Sequence, residues 1–82
     1  MTVRVLFFSI LRDLTGIEAY DLILDSEEVK VGEAVSVLLN EFPQLKDWED
    51  RLLLAVDCEY ADRQTALSDG CEFALFPPVQ GG

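Results

Sequence analysis

Apolar residues recur along this chain with two different periods. From Val31 they fall at Val31, Ala34, Val35, Leu38, Leu39 and Phe42, the three-four spacing of one helical face, and Pro43 stops the pattern. The spacing predicts the main helix over residues 31–42. Its end is better marked than its start, because Lys30 is a poor N-cap residue. Before it, residues 3–9 are β-branched and aromatic and read as a strand, residues 10–15 fit one helical turn closed by Gly16, and residues 19–24 suit a second strand. Residues 25–30 read as a polar connection. After it, residues 44–51 are ambiguous between loop and a short helix holding Trp48 against the core. Residues 52–56 form an apolar run short enough for a buried strand, and a short strand fits residues 59–61. Ser68-Asp69-Gly70 marks a turn, and residues 72–76 make the last strand, ended by Pro77-Pro78 because proline cannot donate to a ladder.

One amphipathic helix and four or five strands must cover one face of a single sheet, since each needs an apolar partner. The expected class is α+β, a β-grasp arrangement with a mixed sheet whose first and last strands run parallel in the centre. A ferredoxin-like fold would need a second long helix, and only residues 44–51 could offer one. The 82 residues suffice for one domain and not two. The division expected is a domain over residues 1–76 and a flexible tail over residues 77–82.

Composition narrows the function. Sixteen acidic against six basic residues give a formal charge of −10, which repels a phosphate backbone and an anionic membrane surface alike. The same charge serves solubility or steers association with a basic protein; charge alone does not separate the two. The chain has no histidine, so Ser/His/Asp and Cys/His arrangements and histidine metal sites are excluded. Cys58 and Cys71 form no C-x-x-C pair and are expected to be reduced thiols. The apolar N-terminal run carries Arg4 and is too short to span a bilayer, so a cytoplasmic protein is expected.

The C-terminus then becomes the focus. The last strand runs into Pro77, Pro78, Val79 and Gln80 and finally Gly81-Gly82. The six residues after Phe76 reach on the order of 20 Å when extended, enough to enter a deep pocket on another protein. Two glycines pass where a Cβ would clash. A bare Gly-Gly end is ordinarily a frayed end; here it follows the final strand of a β-grasp candidate at a short distance. A carboxylate is a poor electrophile and must be activated before it reacts.

Val5-Leu6-Phe7-Phe8, Arg12-Asp13-Leu14-Thr15-Gly16, Leu67-Ser68-Asp69-Gly70 and the Phe76-Pro77-Pro78-Val79-Gln80-Gly81-Gly82 ending together resemble the ubiquitin-like sulfur carriers, and among them the small subunits of molybdopterin synthase. The resemblance implies a non-catalytic carrier with no bound cofactor. In it an ATP-dependent partner enzyme adenylates Gly82, a sulfur donor protein converts it to a thiocarboxylate, and Gly81 lets the tail thread into the large subunit. There the sulfur passes to cyclic pyranopterin monophosphate within a heterotetramer. Carriers for thiamine synthesis or tRNA thiolation share the fold and the ending. A modifier conjugated to lysines, or an interaction module with an inert tail, are the readings from other classes.

The strand phase also predicts a docking face. Val3, Val5 and Phe7 share one side of the first strand, while Arg4, Leu6 and Phe8 share the other, which Arg4 marks as facing solvent. Glu72, Ala74 and Phe76 face together in the last strand. Phe8 and Phe76 are therefore expected side by side on the uncovered face, with Tyr60 near the sheet edge as a further contact. The resemblance adds Arg12 as a polar contact, and Pro77, Pro78 and Val79 as the start of the inserted tail.

Overall fold

The computed structural model describes residues 1–78. Its elements are β1 (Thr2–Phe7), α1 (Ile10–Thr15), β2 (Ala19–Ile23), β3 (Val29–Lys30), α2 (Val31–Glu41), a 3₁₀ helix (Pro43–Arg51), β4 (Leu53–Val56), β5 (Glu59–Ala61), β6 (Ala66–Leu67) and β7 (Glu72–Phe76). Five strands form one mixed sheet in the order β2-β1-β7-β4-β5. β1 and β7 run parallel at its centre, and the other pairings are antiparallel. This is the ubiquitin-like β-grasp expected from the element order.

One sheet face and one helix face make the core. Val3, Val5 and Phe7 of β1, Phe73 and Leu75 of β7, and Leu54 of β4 point inward and are buried. The α2 stripe of Val31, Ala34, Val35, Leu38 and Leu39 closes over them. Leu11 of α1 and Leu45 of the 3₁₀ helix fill the ends. Phe42, just past α2, meets Phe7 and Tyr20 edge-on at 5.3 and 5.1 Å between ring centres. Among the described residues no polar or charged side chain is buried, so the core needs no internal polar network.

The ambiguous segment after Pro43 is a nine-residue 3₁₀ helix that buries Leu45 and sets Trp48 partly against the core, with Arg51 over the indole ring at 4.6 Å. Residues 25–30 are not wholly a connection: Val29–Lys30 pairs antiparallel with Ala66–Leu67 in a separate two-stranded ribbon. A two-residue strand is too short for alternation to mark it. The first strand stops at Phe7 rather than running to residue 9. Ser9 has φ 58° and ψ −132°, which turns the chain out of the sheet into α1. Gly16 ends α1 in the left-handed conformation, φ 79°, where its N–H donates to the Arg12 carbonyl at 2.8 Å.

Candidate functional site: the open sheet face beside the C-terminal strand

α2 covers one face of the sheet and leaves the other to solvent. The parallel register pairs Leu6 with Ala74 and Phe7 with Leu75, so the next residues along, Phe8 and Phe76, fall beside each other. Their rings stack with centroids 4.6 Å apart and planes 11° apart. The Phe8 N–H donates to the Leu75 carbonyl at 3.2 Å, so the ladder continues past β1 and fixes Phe8 in this position. Phe8 is 40% exposed and Phe76 half-buried. The two rings thus form a stacked apolar pair that stays in contact with water.

The pair belongs to a shallow apolar groove of about 360 Å³. Leu6, Ala74 and Ala55 form its floor, Tyr60 and Cys58 its β5 side, and Glu72 its end remote from the tail. Tyr60 lies on the edge strand and is 82% exposed. Asp57 and Cys58 connect β4 to β5 with φ of 48° and 70°, both left-handed, the backbone of a tight hairpin turn. Asp57 also ties this turn to β7: its N–H donates to the Glu72 carbonyl, and its Oδ1 accepts from the Glu72 N–H, each at 2.9 Å.

The structure thus brings together Phe8, Phe76 and Tyr60. Arg12 lies outside the groove lining, on exposed α1, where its guanidinium donates to Glu18 Oε1 at 3.3 Å. Pro77 and Pro78 are half-buried and follow β7 directly. Val79, Gly81 and Gly82 lie outside the described residues. Sequence reading missed Cys58 and Ala55. Two residues between apolar strands is hairpin spacing, but Asp57-Cys58 lacks the glycine that usually announces left-handed turn positions, and Ala55 sits in an apolar run without alternation. Both cysteines are free, Cys58 exposed and Cys71 buried. Among the described residues no group of side chains could hold a metal, and no helix is long and apolar enough to cross a membrane.

A mixed five-stranded sheet with its last strand at the centre, covered on one face by a helix, places the chain in the class of small ubiquitin-like proteins. Residues 5–82 match the ThiS family, and the chain belongs to it. Over 80 residues it is 32% identical to the molybdopterin synthase sulfur carrier subunit of Mycobacterium tuberculosis, covering 98% of this chain and 96% of that one. The human molybdopterin synthase sulfur carrier subunit is 30% identical over 83 residues, covering 98% of this chain and 93% of its own. Among solved structures, SAMP1 from Haloferax volcanii superposes with a TM-score of 0.84 at 29% identity over all of both chains. A complex of subunits 1 and 2 of the molybdopterin-converting factor from Helicobacter pylori contains a chain matching at TM-score 0.72 and 29% identity, again over all of both chains.

Proposed function

We propose that the chain is the sulfur-carrying subunit of a molybdopterin synthase, docking on the large subunit through its open sheet face and reacting through Gly82. The observation that carries this reading is the stacked, water-exposed Phe8–Phe76 pair immediately before the Pro77-Pro78-Val79-Gln80-Gly81-Gly82 ending. The pair supplies an anchoring surface at the end of β7, and the sequence that follows β7 supplies the reactive glycine. The relatives named as sulfur carrier subunits, and the Helicobacter pylori complex of two subunits, support it.

In this function the domain holds and delivers, and its partners catalyse. A Gly82 carboxylate oxygen attacks the α-phosphorus of ATP on an adenylating enzyme, and pyrophosphate leaves. Sulfide-level sulfur from a donor protein then displaces AMP and leaves a terminal thiocarboxylate. In the large subunit that sulfur bonds to a side-chain carbon of cyclic pyranopterin monophosphate as a carbon–oxygen bond there breaks and the oxygen leaves with the phosphate or as water; water then cleaves the acyl–sulfur bond and returns the Gly82 carboxylate. Two loaded chains complete one dithiolene. Docking through the sheet positions the reacting carbon, and losses of about a hundredfold are common when such positioning fails.

The test is intact-mass measurement after incubation with ATP, the adenylating enzyme and sulfide. The expected result is the mass gain of one oxygen replaced by sulfur, followed by dithiolene formation when large subunit and pterin are added. Full dithiolene-forming activity from a chain lacking Gly82 would refute the reading. The similarity to SAMP1, whose name in full is small archaeal modifier protein 1, favours one second reading, attachment of Gly82 to lysines of other proteins. Ladders on a denaturing gel in place of the sulfur mass gain would select it.

A further inference from the structure

We propose that Glu72 is the recognition point for an arginine or lysine of the protein that covers the open face. The inference rests on the docking reading above and adds the chemistry of the occupant. Glu72 opens β7, shares its outward phase with Ala74 and Phe76, and is the charged residue among those lining the groove. Among the described residues no cation lies within ion-pair distance of its carboxylate. Arg4, its register neighbour on β1, instead turns to Asp21 on the far side at 3.7 Å. On the other flank stands Asp57, a second negative charge, bonded to the Glu72 backbone.

A partner that covers the groove along its length, from Phe76 to Glu72, also strips water from Glu72. Burying a carboxylate without a counter-charge carries a large desolvation penalty, and among the described residues no cation is paired with Glu72 to offset it. A basic side chain on the partner removes the penalty, and a guanidinium suits the site best, because it can fork to a carboxylate while its flat faces lie on apolar neighbours. The formal charge of −10 draws such a surface in from a distance. Glu72 and Phe76 are four residues apart on one strand, about 13 Å. The occupant therefore presents an apolar contact and a cation at that separation. An ionic point at one end and an aromatic point at the other fix the axis of β7 on the partner, and so the direction in which the tail leaves.

The experiment measures affinity for the large subunit from the same organism at several salt concentrations. Glu72→Gln should weaken binding about tenfold and flatten the salt dependence, with the melting temperature unchanged because the β7 hydrogen bonds use its backbone. Glu72→Asp should keep the salt dependence, and Glu27→Gln, outside the groove lining, should bind as the parent does. Unchanged or tighter binding by Glu72→Gln would overturn the proposal. Absence of binding by the parent chain would instead remove the docking reading on which it stands.

Discussion

Ser9 occupies a backbone region, φ 58° and ψ −132°, that residues with a Cβ seldom enter. Its neighbours impose it: Phe8 is still hydrogen-bonded to β7, and the Ser9 carbonyl already accepts from the Arg12 N–H at 3.1 Å as α1 begins. Glycine would relieve the strain at some entropic cost, so Ser9→Gly is expected to stabilise the fold by about 1 kcal/mol and raise the melting temperature by several degrees. Thermal unfolding followed by circular dichroism checks this; a lower melting temperature would show that the serine is not strained. At the same scale, the placement of Phe8 and Phe76 was legible because strand parity alone decides which face a residue takes. Arg12 was not placeable that way, since a six-residue helix has little pattern and its guanidinium found Glu18 nearby.

The start of α2 shows what a helix does without a good N-cap side chain. The Val31 and Gly32 N–H groups donate to the carbonyls of Thr65 and Arg63 at 2.8 and 2.9 Å, and the Lys30 N–H donates to Glu33 Oε1 at 3.2 Å. The loop after β5 is thus the cap. A Cβ on Gly32 would meet the Arg63 Cβ and carbonyl oxygen at 3.2 Å each. Gly32→Val should push this loop off the helix and cost about 2 kcal/mol, read as a lower denaturation midpoint in urea. Elements with several periods, α2 and β7, were legible to within a residue. The β3–β6 ribbon was not, since its two-residue strands are fixed by the same loop packing and not by any pattern of their own. The capping carbonyls were equally hidden, because they lie more than thirty residues away in sequence.

At the scale of the whole molecule an apolar core is surrounded by an excess of negative charge. That charge repels itself in the compact state and is screened by salt. The melting temperature should accordingly rise by a few degrees between low and physiological sodium chloride, followed by calorimetry; a fall would mean that ion pairs such as Arg4–Asp21 outweigh the repulsion. The parallel pairing of β1 with β7 has a mechanical consequence. Strands that run the same way and lie side by side are loaded in shear when the chain is pulled from its two ends, so the hydrogen bonds joining them must rupture together and cannot be unzipped one at a time. The domain should therefore resist tension along its own backbone, and a machine that tugs on the segment following Phe76 pulls against this whole row of bonds at once.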